Sequence, residues 1–155
     1  MAIDLTLLKQ ELLNDPLNLG YAPYVSVRND IGSHSVLTEV KSGSDFVVSR
    51  GRITKDFFIE ITTQMVFNLM MQVKNGNNGA QFWLDVFDRL IANSDTINCD
   101  DAALSSILNQ MLVENLINTS GIDYIKTKQG SRSEVLFGVN VSIDDVSNSL
   151  NEGEI

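Results

Sequence analysis

The chain is predicted to be mainly α: a small helical domain with an extended arm or β-hairpin at about 25–53. Three observations predict this. Apolar residues recur every three or four positions through three long segments, as the buried face of a helix requires. Near the end, Ser-x-x-Glu and Ser-x-x-Asp spacings mark two short capped helices. The 155 residues, 43% hydrophobic and 20% charged, suffice for a single packed core. One domain is expected over 1–147, with a flexible acidic tail at 148–155.

The first helix is predicted over Leu5–Leu13, capped by Asp4, with Leu5, Leu8 and Leu12 on one face and Leu7 and Leu13 beside them. Asn14-Asp15-Pro16 stops it, because a residue before proline is pushed out of the helical region. Leu17, Leu19, Tyr21 and Tyr24 follow in a loop. Such residues either fold back onto a core or dock a partner. From 25 to 53 two readings stay open. One is strand, turn and strand over Val36–Val40, Lys41–Asp45 and Phe46–Arg50. The other is a short helix near Asn29–Leu37 followed by an extended arm from Lys41 to Arg52.

Thr54 is the expected cap of a long helix from Lys55 to about Val73. Phe57, Ile61, Met65, Leu69 and Val73 recur every four residues, with Phe58, Val66 and Met70 flanking them. That stripe is read as core, with a groove for a partner as the competing reading; Met65, Met70, Met71 and Met111 would make such a groove adaptable. Lys74–Gly79 is a turn cluster. A second helix is expected over Ala80–Asn93, carrying Phe82, Trp83, Val86, Phe87, Leu90 and Ile91. A third, capped by Asn98 or Asp100, presents Ala103, Leu104, Ile107, Leu108, Met111, Leu112 and Leu116 and is closed by Ser120-Gly121. Ile122–Lys126 is too short to classify. In the terminal motif Ser131 and Glu134 make the first cap, Gly138 the left-handed stop and Ser142 the second cap.

Charge and composition exclude several classes. A net charge of −9 argues against nucleic acid as a primary partner, since phosphate binding needs clustered cations. The single Cys99 forms no internal disulfide and no multi-cysteine zinc site. No segment approaches the apolar length of a membrane span. Met1-Ala2-Ile3-Asp4 lacks a basic n-region, so synthesis in a cytoplasm is expected.

The search for chemistry finds no catalytic, cofactor or metal set. His34, the single histidine, has only Ser33 and Ser35 beside it in sequence, and reads as a solvated or hydrogen-bonded loop residue. Asp95, Asp100 and Asp101 do not fit a calcium loop, and Asp144-Asp145 precedes a helix; capping explains both. Gly76–Gly79 lacks the Lys-Ser/Thr of a phosphate loop. Arg28, Arg50, Arg52 and Lys55 form the one basic concentration. It is read as scattered surface charge, as an arm pairing with a neighbouring subunit's carboxylates, or as a DNA contact. Arg132 is expected to hold carbonyls or a nearby acid and so lock the terminal helices. The candidate partner interface is therefore Arg50, Arg52, Lys55, Tyr21 and Tyr24.

Two end motifs carry a resemblance. Asp15-Pro16-Leu17-Asn18-Leu19-Gly20-Tyr21 follows the first helix, and Ser131-Arg132-Ser133-Glu134-Val135-Leu136-Phe137-Gly138 precedes Ser142 and Asp145-Val146. With the arginine-bearing stretch Val48–Ile53, they resemble a small family of tailed-bacteriophage late-gene proteins, over roughly a third of the chain. The resemblance implies a virion or assembly role and no catalytic residues or cofactor; many members have a second helix soon after the Gly-Tyr, where Pro23 to Val40 of this chain reads less helically. A non-enzymatic component of the neck, tail or baseplate is expected, located in the virion after synthesis in the host bacterial cytoplasm. Its expected partners are other phage structural proteins, with oligomeric assembly in the particle and no membrane or nucleic acid. The competing readings are an assembly chaperone absent from the finished particle and a host-directed regulator.

Overall fold

A computed structural model describes residues 2–151. They form nine α-helices and four three-residue strands, so the mainly α class holds. In chain order these are α1 (Leu5–Asn14), α2 (Ala22–Ser26), α3 (Asp30–Thr38), a 3₁₀ turn (Ser44–Phe46), β1 (Val47–Ser49), β2 (Arg52–Thr54), α4 (Lys55–Lys74), α5 (Asn78–Ala92), β3 (Thr96–Asn98), α6 (Ala102–Val113), α7 (Thr119–Lys126), β4 (Thr127–Gln129), α8 (Arg132–Phe137) and α9 (Ile143–Asn151). Contacts gather into two compact units, Met1–Val48 with Gln129–Ile155, and Ser49–Lys128. The chain leaves the first through β1 and returns through β4.

The first unit closes around Leu8, Leu12, Tyr21, Leu37, Val141, Val146 and Leu150. Asp4 caps α1 by accepting from Leu7 N, as its position predicts. Asp15 then adopts a left-handed φ of 44° and accepts from Leu19 N at 2.6 Å and Gly20 N at 2.8 Å. That clamp explains the spacing of the Asp-Pro-Leu-x-x-Gly-Tyr motif: it folds the loop back and drives Tyr21 into the core. Between Asn29 and Leu37 the structure takes the helical reading. Asn29 caps α3, whose last turn occupies 36–38, the place of the alternative first strand. The extended arm follows as β1 and β2. Gly32 is required in α3, because a Cβ there would overlap the Tyr24 ring. Of the tail expected over 148–155, residues 148–151 belong instead to α9, which buries Ser149 and Leu150; 152–155 lie outside the described residues.

The second unit packs α4–α7 around Phe58, Ile61, Met65, Leu69, Trp83, Phe87, Leu104, Leu108, Met111 and Ile125. Thr54 caps α4 as expected, and Asn77 caps α5 two residues earlier than the apolar pattern suggests. β2 pairs antiparallel with β3, Ile53 opposite Ile97, so the arm is docked in its own unit across a long sequence separation. The third predicted helix ends early, at Val113, and the unclassified Ile122–Lys126 belongs to α7. Asn115 turns left-handed at φ 60° and ends α6, while Ser120-Gly121 sits inside the first turn of α7 behind the Asn118 cap. The cap of α6 is Asp101 rather than Asn98 or Asp100.

Candidate functional site

Of the five candidate interface residues, Tyr21 is corrected outright. It is fully buried, and its hydroxyl donates to Glu11 Oε2 at 3.0 Å. Glu11 is also buried and accepts from Arg132 Nε and Nη2 on its other oxygen. Burial, then the Glu11 charge, pushes the Tyr21 phenol far above its ordinary range. This triad joins α1, the Gly-Tyr loop and α8 in one core. It is a structural network, since every partner is satisfied within it. Tyr24 remains partly exposed over α3.

The arginines of the arm are likewise engaged at home. Arg50 donates through Nε to the Tyr124 carbonyl at 2.9 Å, and its guanidinium stands 5.6 Å from the Phe57 ring centroid and 5.3 Å from that of Tyr124. Arg52 Nη1 donates to Thr96 Oγ1, and the Lys55 amide donates to the Asp95 carbonyl. Backbone hydrogen bonds of β2 to β3 occupy one edge of the arm. These contacts could not be read from charge spacing, because Thr96 and Tyr124 are distant in sequence.

Beside Arg50, Tyr124 borders a cleft of about 710 Å³ between α4 and α7, lined by Gln64, Met65, Asn68, Asn118 and Ile125 among others. All its polar lining groups are neutral. The terminal caps form as their spacing predicts. Ser131 and Glu134 bond each other's backbone N–H, Gly138 is left-handed, and Ser142 and Asp145 repeat the reciprocal pattern. Ser131 Oγ also donates to Asn140 Oδ1.

The remaining chemical candidates have local employment. His34 Nε2 donates to the Val141 carbonyl at 2.9 Å. Ser49 donates to Asp100, and Asp101 holds the start of α6. Burial raises the Cys99 thiol pKa, with Arg50 opposing. No group of three His, Cys, Asp or Glu among the described residues could hold a metal ion. Ser33 Oγ is buried with no hydrogen-bond partner among them.

The outward face of the α4–α5 hairpin is different. The predicted stripe holds at Ile61, Met65 and Leu69, with Val73 packed against the same core; at its start Phe58 is buried and Phe57 is partly exposed. Ile59, Phe67 and Met70 point outward, exposed by 43, 56 and 57%. With Thr62, Thr63, Val66, Leu84, Phe87, Asp88 and Ile91 they line an apolar groove of about 450 Å³. Contiguous exposed apolar surface of this kind marks contact sites. The sequence carried the signal, since α4 is apolar over more of its circumference than one packed face needs. No helix among the described residues is long and apolar enough to cross a membrane. No protein-family model, curated protein or solved structure matches this chain.

Proposed function

We propose that this protein is a non-enzymatic structural or assembly component of a tailed phage particle, in its neck, tail or baseplate region. The end motifs supply the phage context, and one structural observation carries the contact role: the exposed apolar groove of α4 and α5. Burying an aromatic or aliphatic side chain of the Phe67 or Met70 kind is worth about 1.5–3 kcal/mol, so a few such anchors suffice for a specific contact. The methionines Met70 and Met71 keep a second reading in view, an assembly chaperone with an adaptable binding face. Mass spectrometry of purified particles separates the two. Stoichiometric presence beside the major capsid protein is expected of a structural part, and clean absence overturns that assignment in favour of the chaperone.

A further inference from the structure

We propose that the α4–α5 groove is the interface with a second copy of this chain, the two hairpins closing into a four-helix bundle with α4 antiparallel to its copy. This deepens the contact role assigned to the groove and rests on it, but it is independent of the phage setting. Three features of the face argue for a second copy.

Size is the first. Twenty residues of α4 span about 30 Å, and two helices side by side are about 20 Å wide. Because α5 has 15 residues and spans only about 22 Å, each protomer would cover about 500 Å² and the pair about 1,000 Å², the threshold for a specific interface. The second is composition. Ile59, Val66, Phe67, Met70, Leu84 and Ile91 line the groove, with Asp88 as its one charged member. Two such faces would bury each other's apolar surface as the layers of a bundle do.

Charge is the third, and it sets the orientation. Asp56 and Glu60 lie one turn before Ile59 and Thr63 on the rim of the groove, at the N-terminal end of α4. Asp88 belongs to the same end, because the preceding Phe87 stacks on Phe58 with ring centroids 6.3 Å apart. Lys55 precedes Asp56 and Arg89 follows Asp88, so three acids against two cations leave this end net negative. At the far end of α4, Lys74 lies one turn past Met70 in the last turn of the helix. A two-fold axis parallel to the helices would superpose the acidic ends, which repel. A two-fold axis perpendicular to them turns α4 end for end, bringing Lys74 of each copy to Asp56 and Glu60 of the other. The face is thus self-complementary in the way an isologous dimer requires. The antiparallel register places Phe67 beside Thr63 of the copy, at the centre of the interface.

The test is sedimentation equilibrium of the full chain, with far-ultraviolet spectra to confirm folding. Wild type is expected to dimerise at micromolar concentration. Phe67→Asp, at an exposed position outside the core, is expected to abolish dimerisation while leaving helicity intact. Lys74→Glu should weaken it at least tenfold, and adding Asp56→Lys and Glu60→Lys to Lys74→Glu should restore it. A wild-type chain that stays monomeric at millimolar concentration overturns the proposal, as does a dimer indifferent to Phe67→Asp. A dimer that Lys74→Glu leaves unchanged or tightens overturns the antiparallel arrangement. A dimer in solution with no protein in purified particles would sink the phage assignment alone, and a monomer present in particles would sink the dimer alone.

Discussion

Arg132 Nη2 lies 2.9 Å from Glu11 Oε1, joining the terminal motif to the first helix across 121 positions of sequence. Both side chains are removed from water, at 13 and 2% exposure, and Glu11 also accepts from Tyr21. A buried ion pair adds little over an apolar pair of the same volume, but losing one partner strands the other.

Arg132→Ala is therefore expected to cost about 3–5 kcal/mol by leaving the Glu11 carboxylate buried and unpaired. Adding Glu11→Leu should recover part of that loss. Urea unfolding of the two single variants and the double variant measures the coupling. Additive losses would mean that the pair is not a unit.

Tyr21 predicts an alkaline limit. Its folded-state phenol titrates well above the unfolded one, so the folded chain holds that proton more tightly. The resulting stability is complete below the ordinary phenol value, about 10, and is lost as pH rises beyond it toward the folded value. Tyr21→Phe should cost about 1 kcal/mol near neutrality and show a shallower decline above about pH 10. Parallel stability curves for the two proteins would refute the buried phenol.

The terminal caps are expected to matter through local geometry. Ser131→Ala removes the α8 cap and the hydrogen bond to Asn140, for about 1–2 kcal/mol. Gly138, at φ 77°, should lose about 1–2 kcal/mol on replacement by alanine, whose Cβ crowds the left-handed conformation. Thermal denaturation reads both, and an unchanged midpoint for either counts against its cap.

Arg50 and Arg52 are expected to part company. Arg50→Glu removes two ring contacts and a charge-assisted hydrogen bond, and should destabilise the protein by about 1–3 kcal/mol. Arg52→Glu loses one exposed hydrogen bond to Thr96 and should stay within about 0.5 kcal/mol of wild type. Equal losses in denaturant titrations would show that the clamp on Tyr124 carries no stability.

Cys99 is fully buried, and burial raises its pKa, so little thiolate is available near neutrality. A thiol reagent at about pH 8 should label it slowly in the folded chain and rapidly in denaturant. Rapid labelling of the folded protein would contradict its place in the second unit.

Local chemistry determined much of this molecule from the sequence alone. Asp4, Thr54, Ser131 with Glu134, Gly138 and Ser142 were legible as caps and stops, because each bonds or relieves backbone within four residues of itself. The long α4 and the mainly α class followed from apolar spacing in the same way. The tertiary structure decided whatever depended on partners far along the chain. Tyr21 met Glu11 in the core instead of facing a partner, Arg50 met Tyr124, and Arg52 entered a strand paired with residues 96–98. The region 25–53 was ambiguous because Val36–Val40 fits either element, and the docking of α3 against the first core chose the helix. Periodicity showed that α4 is broadly apolar; only packing could say that Phe58 turns inward while Phe67 and Met70 remain outside. A helix buries the side that meets its neighbours, and the neighbours are set by the whole fold.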